Sequence, residues 1–587
     1  MKNIVFLLIC FLLFSCSDFK SKAEQINDLY LSDLAVLQAD VTQLQHLVED
    51  GATQKQLQNQ FLKAHQSYKR VESISEYYFP TVSKAINGPA LEEYEYDDGV
   101  TIPPAGLQVI EEYFFPVYDK NTKIEILREI GILNANLYRL QMISKTNELT
   151  DSAVFDAMRL EVFRIITLGI TGFDSPIAQN SLAEAITSLE TIEEQLIIYQ
   201  KDEQSPATLA IFEGGKDYLN KNLKFNEFDR AFFIKKYLNP LSKAIYEAQS
   251  DLKIPFFKES RGLKVTAQTL FDKNAFDPEA FSGFPDYITT KEKIELGKLL
   301  FNDPILSGNN TRSCASCHYA DKAFTDGLEK AVTLDGKEMI KRNTPTLSNI
   351  AFQRNFFYDS RVNYLEDQAI AVITNENEMH GSLEKSALDL KKSKKYATHF
   401  EKAFPNKEIT SFEIKNALAS YIRSLSNYDS RFDGYMRGEE KFNLDEMAGF
   451  NLFTGKAKCA TCHFIPLTNG TVPPNFDKSE SEVLGVPGKD KKIDGDLGKF
   501  DLTKAEVNRY SFKTPTIRNI ALTAPYMHNG VFKTLEEVVD FYDEGGGSGL
   551  GFNLPNQTLP GDKLNLTPLE KKQLIAFMKT LTDKKQY

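Results

Sequence analysis

Cys314-Ala315-Ser316-Cys317-His318 and Cys459-Ala460-Thr461-Cys462-His463 are the two stretches from which the chain is read. Both have the form Cys-x-x-Cys-His, the attachment signature of a c-type haem. On a helical turn, positions i, i+3 and i+4 share a face. The two thiols can therefore reach the two vinyl groups of one porphyrin, and the imidazole that follows can meet the iron from beneath the ring. The competing reading is a zinc site built from four cysteines. Structural zinc draws its ligand pairs from nearby segments, whereas these pairs stand far apart in the chain. Zinc also gives no reason for a histidine after each pair. The pentads predict two covalent c-type haems, with His318 and His463 as proximal iron ligands.

The chain has 587 residues and a net charge of -12, with room for about three or four domains. The acidic balance argues against nucleic acid and suits a basic redox partner. Six cysteines are present and tryptophan is absent. Cys10 and Cys16 lie near the start and the other four belong to the pentads, so no pair is left for a disulfide. Residues 1–15 read as a signal peptide, because the apolar run Ile4 to Phe14 is too short to span a membrane. It ends in Leu13-Phe14-Ser15-Cys16, which resembles a bacterial lipobox, with cleavage before Cys16 and lipid on its sulfur. The alternative is an ordinary signal peptide with an incidental cysteine. Either reading predicts export, and the first places the protein in the bacterial periplasm, lipid-anchored to a membrane, with the outer membrane favoured and the inner left open.

Residues 16–255 read as a helical bundle. Leu31, Leu34, Leu37, Leu44 and Leu47 recur at helical spacing within Leu29 to Val48, and Gln54 to Tyr78 and Ile124 to Ile143 continue the pattern. Pro80, Gly88-Pro89 and Pro103-Pro104 punctuate the connections. Asn87-Gly88-Pro89-Ala90 leads into an acidic run holding Glu92, Glu93, Glu95, Asp97 and Asp98. Gly106-Leu107-Gln108-Val109-Ile110-Glu111 resembles the Gly-x-His-x-x-Glu motif of imelysin-like domains, a helical family linked to periplasmic iron handling. Gln108 stands where that family has histidine, which removes the best transition-metal ligand. The plainer reading is a solvated acidic loop and an ordinary bundle helix. His46 and His65 read as surface or packing residues. Residues 256–289 read as a linker.

Beyond it the sequence repeats itself. Arg342-Asn343-Thr344-Pro345-Thr346-Leu347-Ser348-Asn349-Ile350-Ala351 returns as Phe512-Lys513-Thr514-Pro515-Thr516-Ile517-Arg518-Asn519-Ile520-Ala521, an offset of 170 taken from Thr344 to Thr514. The haem histidines, His318 and His463, are offset by only 145. The second copy therefore carries an insertion, read as the polar loop 470–505. Two related, mostly helical haem domains follow, at 290–430 and 431–587. Their difference is informative. Met527, in Ala524-Pro525-Tyr526-Met527-His528-Asn529-Gly530, offers a thioether to the second iron; the matching position of the first copy is Phe357, which cannot ligate. A haem that relays electrons needs a sixth ligand, whereas one that binds an oxidant needs an open position.

The run Leu296 to Gly308, the first pentad, Arg342 to Thr346 and the Pro-Tyr-Met-His-Asn-Gly run together resemble the bacterial di-haem cytochrome c peroxidases over residues 290–587. The resemblance implies a mainly α protein, with an N-terminal helical bundle before two cytochrome c-like domains. It implies reduction of hydrogen peroxide at the first haem and electron entry at the second from a small cytochrome c or cupredoxin. Glu378-Met379 matches the family's Glu-Met pair, which makes Glu378 the expected catalytic carboxyl, with Glu376 its immediate rival. Tyr358 takes the place of the inter-haem tryptophan, and Asn343 matches one contributor to a calcium between the domains. Family members often close the resting peroxidatic haem with a histidine that Tyr319 to Arg342 lacks; Met339 and His380 stand as substitutes. His528 and His399 carry no assigned role. A homodimer stays open. Two other functions remain: the related oxidase that acts on a protein substrate, which uses tyrosine where this chain has Met527, and an electron-transfer or peroxide-sensing lipoprotein without turnover.

Overall fold

The computed structural model describes residues 20–585 apart from 96–97 and 201–204, so the signal segment and Cys16 lie outside the described residues. The N-terminal part is a helical bundle. Helix α1 (Lys22–Glu49) starts at Ser21, whose hydroxyl accepts from the Glu24 N–H while Glu24 reaches back to Ser21. Helix α2 (Gln54–Tyr78) starts the same way on Thr53 and Gln56. These reciprocal caps satisfy N–H groups that a helix start leaves open. Leu34, Leu37, Val41, Leu44 and Val48 recur every three or four residues along α1 and are fully buried, so the apolar stripe faces α2 and α5 (Lys123–Ser144). Between them come α3 (Pro80–Asn87), a small hairpin pairing β1 (Glu93–Glu95) with β2 (Val100–Ile102), and α4 (Leu107–Phe114). The hairpin is the one departure from helix in the acidic run. Helix α6 (Asp151–Arg164) continues into a π-turn at Ile165–Gly169, and α7 (Ser181–Gln200) follows.

The segment at 256–289 is a packed strap. Leu263, Leu270, Phe271 and Ala275 are buried. Arg261 forms a bidentate pair with Asp156 at 2.7 and 2.8 Å, and Arg159 donates to the carbonyls of Val265 and Ala267. Small and polar residues made it look like a tether; arginine contacts fasten it to α6, and Phe271 meets Phe432 of the second half edge-on with centroids 5.9 Å apart.

Each haem half is built on two crossing helices. In the first, α8 (Lys291–Asn302) crosses α10 (Ser411–Arg423), with α9 (Leu365–Thr374) nearby; in the second, α11 (Leu444–Phe453) crosses α13 (Pro568–Lys579), with α12 (Leu535–Asp543) nearby. Both crossings are made at a glycine. A Cβ on Gly297 would overlap the Ala417 carbonyl, and one on Gly449 the Gln573 carbonyl. The repeat is visible in backbone geometry. Asn349 and Asn519 are both left-handed, at φ 60° each, and both donate to the same carboxylate oxygen, Asp583 Oδ2, at 2.9 and 2.8 Å. Phe356 bridges Val362 as Tyr526 bridges Phe532. The inserted loop supplies β3 (Ser481–Val483), which pairs antiparallel with β4 (Ser511–Lys513).

The halves meet across a pseudo-two-fold seam. The Asn343 N–H donates to the His528 carbonyl and the Lys513 N–H to the Tyr358 carbonyl, both at 2.7 Å. Residues 343 and 513 are repeat mates, as are 358 and 528, so the contact is self-complementary. Arg342 closes the seam, with Nε and Nη2 on Asp496 at 2.6 and 3.0 Å and Nη1 on Asp359 at 2.6 Å. The first half has its own apolar core around Leu296, Leu300, Ile414 and Leu418. The core of the second half is continuous with that of the bundle. Phe173 meets Phe464 edge-on with centroids 5.9 Å apart, and the Ala231 N–H donates to Asn451 at 3.1 Å.

Asp496 is held down at about 2, because its Arg342 and Lys341 partners and the Gly498 N–H outweigh burial. Its folded pKa lies below the unfolded value near 3.9, so its stabilisation is present above pH ~4 and is lost as pH falls toward 2. Asp496→Asn should cost about 1–3 kcal/mol at neutral pH, the range for a buried polar group left unpaired. Denaturation of both proteins from pH 7 to 2 checks this, and the difference should vanish at the acid end.

Candidate functional site

Both pentads fold as a single tight turn. Cys314–Ser316 and Cys459–Thr461 are 3-10 turns, and the histidine N–H closes back on the first cysteine's carbonyl, at 3.0 Å for His318 and 2.9 Å for His463. The turn is thus tighter and shorter than the α-helical turn expected from the spacing. Burial pushes the Cys314 and Cys459 thiols up to about 12 and raises Cys317 and Cys462. Among the described residues no group of three or more His, Cys, Asp or Glu side chains is placed to hold a metal ion. Burial also lowers His318, and it lowers His463 to about 4. Both imidazoles are thus neutral and able to ligate. His318 Nδ1 donates to the Phe324 carbonyl at 2.7 Å, which fixes the tautomer and leaves Nε2 as the free lone pair. His463 Nδ1 is buried without a well-formed hydrogen bond.

A cavity of ≈ 500 Å³ opens beside the second pentad, lined by Cys459, Cys462 and His463 and by Met527. Proximal and distal candidates thus face one space, and a neutral imidazole, two thiols and a thioether fit a covalent haem. Asn343, Phe357 and Tyr358 of the first half also line it. So do Pro89 to Glu93, Gln108 and Glu112 of the bundle. Glu92 and Glu93 of the acidic run and Gln108 of the segment that resembles the imelysin motif thus border this cavity. No periodicity signalled that, because it depends on how bundle and haem domain share a core. Glu480 borders the cavity too. Burial and the charges of Glu482 and Glu93 raise it to about 7, opposed by Lys84 and Lys499.

The two copies of the turn differ where the repeat predicts. Met527 (φ 73°) and Phe357 (φ 63°) are both left-handed, an uncommon state for non-glycine residues that turns up at functional sites. In the first copy the Arg361 guanidinium covers the Phe357 ring, 3.5 Å from its centre. Arg361 and Arg312 both act on Glu378, but burial prevails and its carboxyl lies above the usual range. Asn375 Nδ2 donates to Glu378 Oε1 at 2.8 Å, and Arg312 Nη1 to the Glu378 carbonyl at 3.1 Å. Glu376 is exposed. Arg312, Arg361 and Asn375 were not singled out in the sequence; Arg361 lies in the quoted Tyr358 to Arg361 run, but only packing reveals its stacking. His380 is exposed, and Met339 is 51 % exposed.

The remaining expected residues fall along the seam. Tyr358 donates to Asn343 Oδ1 at 3.3 Å, and burial raises its phenol. Asn343 Nδ2 faces the Leu328 carbonyl at 2.9 Å. As oriented, Asn343 turns a donor to that carbonyl and its oxygen to Tyr358, an arrangement that does not fit calcium. His528 stacks on Phe512 at 3.8 Å with Nε2 3.3 Å from Asp494. His46 is exposed and His399 is half-buried. His65 is buried in the bundle, 2.7 Å from Glu184 and 3.0 Å from Asn87.

Comparison with known proteins gives a consistent picture. Residues 291–441 match the family model described as di-haem cytochrome c peroxidase. The chain is 36% identical over 296 residues to methylamine utilization protein MauG of Methylorubrum extorquens, covering 50% of this chain and 78% of that one. It is 32% identical over 289 residues to cytochrome c551 peroxidase of Nitrosomonas europaea, covering 49% and 79%. Among solved structures, a MauG-like protein associated with microbial copper homeostasis aligns at TM-score 0.46 and 31% identity, over 51% of this chain and 91% of that chain.

Proposed function

The chain belongs to the di-haem cytochrome c peroxidase family, and on that premise we propose that it reduces hydrogen peroxide to two waters, using two protons and two electrons from a small periplasmic cytochrome c or cupredoxin. The observation that carries this reading is the asymmetry of the repeated turn, Met527 in one copy and Phe357 beside Arg361 and Glu378 in the other. When bound, the haems supply the redox chemistry. Cys314, Cys317 and His318 would hold the first, and Cys459, Cys462, His463 and Met527 the second.

The protein's own part is to keep one site open and supply protons there. Phe357 cannot ligate, and Arg361 pins its ring. Glu378 has Oε1 taken by Asn375, which leaves Oε2 to carry the proton. Its raised pKa lets it hold that proton where an exposed carboxyl would have lost it. The Arg312 bond to the Glu378 backbone keeps the loop in place. Exposure of Met339 and His380 supports a first haem that needs no prior reduction to open. Tyr358, at the seam between the sites, is proposed as the inter-haem aromatic. The second reading, oxidation of a protein substrate, rests on the likeness to MauG; Met527, where that enzyme carries tyrosine, weighs against it. Export and lipid attachment at Cys16 complete the proposal. Among the described residues no helix is long and apolar enough to cross a membrane.

Glu378→Gln should keep both haem spectra and lower peroxide turnover ~100-fold or more; steady-state kinetics beside Glu376→Gln checks this, and greater damage at 376 would reassign the carboxyl. Arg361→Met removes a charge that lowers Glu378, so the Glu378-dependent limb of the pH profile should move to higher pH. Met527→His should lower the second haem's potential in a spectroelectrochemical titration, since thioether ligation raises it. An unmoved potential would exclude Met527 as ligand.

A further inference from the structure

Lys513 is a buried cation with no carboxylate partner among the described residues. It ends β4 and is 7 % exposed. Its backbone N–H is committed to the Tyr358 carbonyl across the seam. Its Nζ donates to Gln353 Oε1, a neutral acceptor supplied by the other half. Other buried cations have more acceptors: Arg159 has two backbone carbonyls and Arg230 three, and two further ones have carboxylates. Lys69, also buried, sits 2.7 Å from both Glu72 and Asp174. Arg518, fully buried, sits 2.7 Å from Asp433. A lone ammonium in the interior is unfavourable unless paired, and burial draws Lys513 down to about 7 with nothing to oppose it.

The side chain lines the same cavity as Cys459, Cys462 and His463, and its charge is felt at His463. Glu480 and Glu482 line that cavity as well, yet neither pairs with it. An anion that fills the cavity would supply the second acceptor that Lys513 lacks. A haem carries two propionate carboxylates. On the reading that a haem attached at Cys459 and Cys462 fills this cavity, we propose that Lys513 Nζ binds a propionate of the second haem, with Gln353 holding the ammonium from the first half. The second cofactor is then tied to the seam by a side chain whose own backbone makes the seam.

The test uses the full-length two-haem protein. Lys513→Gln should retain two haems per chain and shift the propionate bending mode of the low-spin haem in resonance Raman spectra. At the unaltered protein's midpoint potential, the ratio of reduced to oxidised second haem should fall roughly tenfold, because a nearby positive charge favours ferrous iron. Lys513→Arg should restore that ratio. Two haems with an unmoved bending mode and ratio in Lys513→Gln would overturn the proposal, as would a shift confined to the first haem. If Lys513→Gln does not accumulate, Lys513→Arg carries the test alone: a changed bending mode with an unchanged ratio supports the contact, and a mode identical to that of the unaltered protein overturns it. An unaltered protein with one haem would instead overturn the reading beneath, and this proposal with it.

Discussion

Two left-handed residues set the architecture of the site. In each copy of the repeat, a bridged turn holds the residue after its first bridge partner at positive φ, Phe357 in one and Met527 in the other. The next residue, Tyr358 or His528, gives its carbonyl to the opposite half. One turn therefore does two jobs at adjacent residues: it places a side chain at the cavity, and it joins the halves. Residues in such conformations persist only when their surroundings over-determine them. Here the crossing helices, the shared Asp583 carboxylate and the Arg342–Asp496 pair do so. Changing the side chain at 357 or 527 alters the chemistry without altering the frame, which is how one repeated fold supports two unlike sites.

Much of this was legible because it is local. The pentads, the 170-residue offset and the Met527/Phe357 contrast are read from spacing alone. Helix α2 starts and stops where its periodicity does, at Gln54 and Tyr78. What was hidden depends on distant packing. Residues 256–289 look like a tether because composition cannot show Arg159 and Arg261 waiting for their carbonyl and carboxylate partners. His65 looks like an isolated helical histidine until Glu184 and Asn87, far along the chain, close around it. Lys513 reads as the repeat mate of Asn343, and only burial reveals an uncompensated charge. Glu378 and Glu376 are indistinguishable as letters and become distinct once one is half-buried beside two arginines.

The bundle has a place in the same logic. Its core is continuous with that of the second half and takes in Phe352 and Tyr428 of the first, whose main core is separate, and Gln108 and the start of the acidic hairpin border the second cavity. The polarity around that cavity is thus set by two domains, with Glu93 of the bundle adding to the repulsion that raises Glu480. Buried charge and excluded water are levers by which a protein tunes a haem. A helical domain fused to a di-haem unit is in a position to use both.

The central claim is that the two sites are unlike: one haem bound by His463 and Met527, the other by His318 with its far side free. Electron paramagnetic resonance of the fully oxidised two-haem protein tests it most directly, recorded alongside the near-infrared charge-transfer bands that identify axial ligands. The account predicts one high-spin ferric signal and one low-spin signal with histidine–methionine character, in equal amounts. Two low-spin signals, with the first haem closed by a second histidine or by methionine, would contradict it.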